Sequence, residues 1–311
     1  MEREYKSVRS AYGKALAELG RENKDIVVLD ADLSCSTQTK IFAKEFPERF
    51  FDVGIAEQDL MTTAAGLACT GKIPFVSTFA VFAAGRAWEQ IRNTICYSNL
   101  NVKIGATHGG ITVGEDGASH QALEDISLMR SIPNMMVIVP ADEKETMAAV
   151  KFAAEHNGPV YVRIARSNLP DVMPSDYVFN YKKAIVMKEG TDVTLITNGE
   201  TLVETLDCDK ILSENGINAE IISIPVVKPI DSETIIKSAK KTNWVITVEN
   251  HSIIGGLGSA VCEVLAENYP TKITRIGTND EFGQSGTSKE LLDFYGLNAK
   301  KLAKKIIGLI K

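Results

Sequence analysis

Cysteine is sparse in this chain and falls into no pattern. Cys35, Cys69, Cys96, Cys208 and Cys262 are scattered, odd in number and never spaced as Cys-x-x-Cys. That spacing excludes a disulfide framework and a cysteine zinc site, and predicts reduced thiols in a cytoplasmic protein. Long apolar runs are missing too: none approaches the ~18 residues of a membrane span. The charged, amphipathic opening from Met1 to Gly20 reads as a helix, without the apolar centre of a signal peptide. Positive charge is outnumbered, with 34 basic against 40 acidic residues and no Lys/Arg-rich run. Neither a nucleic acid nor an anionic membrane is therefore expected as a partner. The patterns Gly-x-x-x-x-Gly-Lys-[Ser/Thr], Gly-x-Ser-x-Gly and His-Glu-x-x-His are all absent. Gly256-Leu-Gly258 lacks the third glycine of a dinucleotide turn, which removes a Rossmann site as well.

What is present is a regular alternation. A length of 311 residues suits two domains with full cores. Short apolar runs, among them Ile26–Leu29, Ile73–Phe79, Val102–Thr107 and Val160–Ile164, alternate with stretches of helical period such as Gln58–Ala68 and Glu143–His156. Continuous apolar strands between helices predict an α/β fold with parallel sheets covered on both faces. The expected layout is a first α/β domain over 1–170, a linker over 171–190 and a second α/β domain over 191–311.

Chemistry concentrates between Thr107 and Gln121. This stretch holds His108 and His120, the carboxylates Glu115 and Asp116, and four glycines between a strand and a helix. Glycine lets a backbone approach a ligand, and histidine can orient hydroxyls or carry protons near neutral pH. Gly54-Ile-Ala-Glu57-Gln puts a carboxylate at a strand-to-helix junction, suited either to a helix start or to a bound ring. Phe79 and Phe82 could share a core face or line a cleft. Arg9, Ser36 after Asp32, and Arg166 at a strand end could together hold a phosphate.

In order along the chain, these segments resemble the C-terminal half of a transketolase. The resemblance runs from Arg9-Ser-Ala-Tyr-Gly13 through Asp30-Ala-Asp-Leu33, Gly54-Ile-Ala-Glu57-Gln and Ser77-Thr-Phe79. It continues through Gly114-Glu-Asp-Gly-Ala-Ser-His-Gln121, Ile132-Pro-Asn134, Arg166-Ser-Asn-Leu-Pro170, Val248-Glu-Asn-His251 and Phe282-Gly-Gln-Ser-Gly286. It implies a pyrimidine-binding domain followed by a transketolase C-terminal domain that serves mainly dimer contacts. By this resemblance Glu57 is a catalytic residue that hydrogen-bonds the aminopyrimidine of thiamine diphosphate, with Phe79 and Phe82 around the ring. His108 and His120 would contact substrate oxygens, Asp116 would read a sugar hydroxyl, and Arg9, Ser36 and Arg166 would grip the sugar phosphate. After Phe82 the chain is shorter than large transketolases and lacks an aromatic found there.

The family's Gly-Asp-Gly segment with its downstream asparagines, which holds Mg²⁺ and the diphosphate, has no counterpart here; only Gly114-Glu-Asp-Gly117 comes near. The resemblance therefore implies a small subunit of a split transketolase, working in carbohydrate metabolism such as the pentose phosphate pathway. Mg²⁺ would lie on a separate N-terminal, diphosphate-binding subunit, in an α₂β₂ assembly. Three alternatives remain at this point. A 1-deoxyxylulose-5-phosphate-synthase-like enzyme usually lacks the histidine at position 108. A 2-oxoacid dehydrogenase E1 β-like subunit normally lacks the Gly-Glu-Asp-Gly-x-x-His-Gln run. Against a non-catalytic regulatory subunit stand the retained Glu57, His108, His120 and Arg166.

Overall fold

A computed structural model describes residues 3–310. The opening stretch is not helical from its start. Tyr5–Ser7 is a short strand, and the helix runs over Val8–Glu22, with the Ser7 hydroxyl capping it by accepting from Ser10 N at 3.2 Å. Val8, Ala11, Tyr12, Ala15, Leu16 and Leu19 recur at helical spacing and are all buried.

The first sheet has seven strands, in the order Val226–Lys228, Met136–Ile138, Val160–Ile164, Lys103–Thr107, Ile73–Phe79, Ile26–Asp30, Phe50–Asp52. Six are parallel, and their carboxyl ends share one edge. Alternate side chains feed two cores. Val27, Leu29, Val76 and Ile104 lie on one face, while Ile26, Val28, Phe75 and Val162 lie on the other. The seventh strand, Val226–Lys228, comes from the second half of the chain and pairs antiparallel with Met136–Ile138. After Ile73–Phe79 come two π-helical segments, Phe82–Arg86 and Gln90–Cys96, whose turns are wider than those of an α-helix.

The second sheet has five strands, in the order Lys272–Thr278, Trp244–Ser252, Val193–Thr197, Ala219–Ser223, Ile185–Lys188. The last runs antiparallel and lies inside the segment expected to be linker, so that stretch is partly sheet. The helices Ser288–Phe294 and Ala299–Ile310 close the chain against one face of this sheet. Among the described residues, no helix is long and apolar enough to cross a membrane.

Candidate functional site

The site grows from the shared strand edge. Phe79 ends the strand Ile73–Phe79, His108 follows Lys103–Thr107, Glu57 follows Phe50–Asp52, and Arg166 follows Val160–Ile164. Carboxyl ends of parallel strands are where open α/β sheets bind ligands.

His108 stacks on Phe79 with ring centroids 3.8 Å apart, and Phe79 in turn stacks on Phe82 at 5.9 Å. His120 stands edge-on to both phenylalanines, at 6.2 and 5.4 Å. The two histidines, twelve positions apart, are thus brought to one aromatic cluster. His108 takes a left-handed backbone, φ 63°, and its Nδ1 lies 2.8 Å from Thr107 Oγ1. Burial holds its imidazole down to about 3, with the charges of Arg9, Arg166 and His120 pushing the same way. His108 is therefore neutral at physiological pH. We predict that its ring NMR shifts stay flat between about pH 5 and 8, and a titration near 6.5 would contradict this environment.

Glu57 is the first residue of the helix Glu57–Cys69 and is 1% exposed. Its Oε2 accepts from Arg86 Nη1 at 2.9 Å, while Oε1 makes no hydrogen bond among the described residues. Arg86 also lies over the Phe82 ring, 4.5 Å from its centroid. In the sequence Arg86 is marked only as a cation seven residues after Phe79.

Arg9 and Arg166 are far apart in sequence but close in space. Tyr5–Ser7 pairs antiparallel with Asn168–Pro170, Ser7 opposite Asn168, so the residues just beyond each strand meet. Burial, and next the nearby Arg166 charge, lower the pKa of Arg9. Its Nη1 donates to Ser36 O at 2.8 Å, whereas its buried Nε has no partner among the described residues. Ser36 thus meets Arg9 through its carbonyl rather than its hydroxyl. Arg166 pairs with Glu115 at 3.2 Å. Asp116 is exposed, and its side chain makes no hydrogen bond among the described residues.

Under the loop lies a buried hydrogen-bonded set, in which Asp125 Oδ1 has no partner among the described residues. Arg163, 5% exposed, donates from Nε to Asp125 Oδ2 at 2.9 Å and from Nη2 to the carbonyls of Ala122 and Asn250. Tyr161 donates to the same Asp125 oxygen at 2.8 Å. A Cβ at Gly109 would come 2.3 Å from Arg163 Nε, so only glycine fits there. Among the described residues, no three His, Cys, Asp or Glu side chains gather as a metal site.

The sequence matches the transketolase pyrimidine binding domain over residues 4–172 and the transketolase C-terminal domain over 182–302. This chain belongs to the transketolase family. It is 54% identical over 310 residues to a Methanocaldococcus jannaschii protein provisionally named a transketolase C-terminal section, covering 99% of this chain and 97% of that one. It is 40% identical over 297 residues to a 6-deoxy-6-sulfo-D-fructose transketolase subunit of Clostridium sp., covering 96% and 92%. Among solved structures it resembles a split gene transketolase described as an inactive β4 tetramer. There the TM-score is 0.91 at 54% identity, with 98% of each chain covered. The fold alone extends to the transketolase of Campylobacter jejuni, at 23% identity and TM-score 0.85, where this chain spans 47% of that one. As a transketolase-family chain it carries the pyrimidine and C-terminal domains expected from its sequence.

Proposed function

We propose that this chain is the C-terminal subunit of a split transketolase, which moves a two-carbon ketol unit from a ketose phosphate to an aldose phosphate. The observation that carries this reading is the convergence of Phe79, Phe82, His108 and His120 beside the buried Glu57, with the Arg9–Arg166 pair at the same strand edge. A buried carboxylate with one unbonded oxygen, next to a half-buried aromatic ring, fits a flat polar heterocycle. Glu57, Phe79 and Phe82 would thus hold the aminopyrimidine end of thiamine diphosphate. Bound there, the cofactor supplies the carbanion chemistry that ketol transfer needs.

This chain's own residues then have distinct tasks. Glu57 holds a proton at the pyrimidine ring nitrogen. Neutral His108, and His120 across the phenylalanines, orient substrate hydroxyl and carbonyl oxygens, and Asp116 reads a hydroxyl at the rim. Arg9 and Arg166 present two guanidinium groups to a sugar phosphate, with Ser36 alongside, in place of the single carboxylate Glu115. Mg²⁺ and the diphosphate would sit on an N-terminal partner subunit in an α₂β₂ assembly. The names of its relatives, a C-terminal section and a split gene product, support that division. Five free cysteines are in keeping with a reducing, cytoplasmic setting.

The test is a donor panel on the chain together with its partner subunit. Xylulose 5-phosphate with ribose 5-phosphate should turn over. Turnover of pyruvate with no phosphosugar donor active would overturn the reading in favour of an oxoacid or deoxyxylulose enzyme. Within that assay Arg166→Ala should raise KM for phosphosugars by about 10- to 100-fold and leave kcat little changed. A loss confined to kcat would contradict the phosphate role.

A further inference from the structure

Between His108 and His120, the loop is held from outside its own domain. Asn250, buried in the strand Trp244–Ser252 of the second sheet, accepts through Oδ1 from Ile111 N at 2.9 Å. Its Nδ2 donates to Thr112 Oγ1 at 3.2 Å and to Glu200 Oε1. Thr112 Oγ1 donates to the same Glu200 oxygen at 2.7 Å. On the other flank, Ser288 Oγ donates to Thr112 O at 2.8 Å, and Gln121 Nε2 bridges Ile111 O at 3.1 Å and Gln284 O at 2.9 Å.

The loop is shaped to this contact. Gly110 sits at φ 81°, and a Cβ there would lie 2.3 Å from Asn250 Nδ2. Burying an amide, a carboxylate and a hydroxyl is costly unless they pair with one another, and an apolar contact would have joined two domains without that cost. What the polar arrangement adds is direction. It fixes the backbone at Ile111 and Thr112, three and four residues after His108, whose own backbone is left-handed.

We propose that Asn250 and Glu200 are positioning residues for the active-site loop. Through them the second domain holds His108 and His120 against Phe79, and so contributes to catalysis beyond any role in assembly. The kinetic part of this proposal rests on the ketol-transfer reading, whereas protection of the loop is measured without substrate.

The experiment uses the chain with its partner subunit and a reciprocal exchange. Asn250→Asp sets a second carboxylate against Glu200 while keeping an acceptor for Ile111 N. Glu200→Gln added to it restores a donor facing an acceptor at unchanged net charge. In Asn250→Asp, hydrogen exchange at the amides of residues 109–113 should rise about tenfold or more. Its kcat with xylulose 5-phosphate and ribose 5-phosphate should fall about 10- to 100-fold, by more than KM rises. The double variant should return both readouts to within about threefold of the unaltered protein. Fast exchange with unchanged kcat, or a double variant as impaired as the single one, would overturn the proposal. If Asn250→Asp does not fold, Ser288→Ala removes one bond of the clamp. It should raise exchange and lower kcat together by about 3- to 5-fold; a rise in exchange alone would again overturn it. An unaltered complex inert toward phosphosugars would instead defeat the ketol-transfer reading, and the exchange comparison would still decide whether the loop is clamped.

Discussion

Glu57→Ala is expected to cut ketol transfer by about 10²- to 10⁴-fold, the usual worth of a positioned acid–base group. The fold should survive. Glu57 stands at the start of its helix, and its partner Arg86 is half-exposed, so water can take over the guanidinium once the carboxylate is gone. The chemistry has no such substitute, because the side chain is 1% exposed and is tied through Arg86 to the Phe82 ring. The most direct readout is deuterium exchange at C2 of the cofactor in the assembled enzyme, followed by NMR alongside kcat and the melting temperature. Loss of exchange with an unchanged melt is the expected result. Exchange at the unaltered rate would remove Glu57 from the mechanism.

Arg163→Ala is expected to act on stability rather than on a step. Arg163 and Asp125 are almost wholly buried, and removing the cation leaves the carboxylate in the interior with only Tyr161 as a donor. Breaking a buried pair on one side costs about 3–5 kcal/mol, a large fraction of the ~5–15 kcal/mol that holds a domain together. Lysine should not rescue it, since three hydrogen bonds leave the planar fork in fixed directions, to Asp125, Ala122 and Asn250. Urea unfolding measures the loss. A change below about 1 kcal/mol would mean the pair behaves like a surface ion pair.

The sheets were legible in the sequence because their strands are continuous apolar runs. Ile73–Phe79 and Val160–Ile164 are found at the expected residues. Other elements escaped for physical reasons. Tyr5–Ser7 and Val226–Lys228 are three-residue strands that pair with distant partners, so their character comes from tertiary contact and not from local pattern. Ile185–Lys188 is an edge strand of mixed exposure inside a stretch with few periodic apolar residues. The π-helical segments Phe82–Arg86 and Gln90–Cys96 carry ordinary helical composition, and nothing in the residues marks the wider turn.

At the site, the residues with a motif were found and their supports were not. Glu57, Phe79, His108 and His120 stood out through glycines, aromatics and spacing. Arg86 and Glu200 did not, because a half-exposed arginine and a lone carboxylate in the second domain look like solvated surface until the chain folds, and Asn250, though within Val248-Glu-Asn-His251, carried no role there. Arg163 left one trace, a lone cation in the apolar strand Val-Tyr-Val-Arg-Ile. The second domain was expected mainly to serve dimer contacts. Its hydrogen bonds to Ile111, Thr112 and Gln121 join it directly to the histidine loop.

On the proposed reading this chain, though it folds around full cores, carries only part of an active site. The measurement that tests it most directly is transfer from xylulose 5-phosphate to ribose 5-phosphate, with thiamine diphosphate and Mg²⁺ present. It is run on the purified chain alone, on the diphosphate-binding subunit alone and on the two combined. Activity in the mixture and none in either component is the predicted result. Turnover by this chain alone at the rate of the mixture would contradict it.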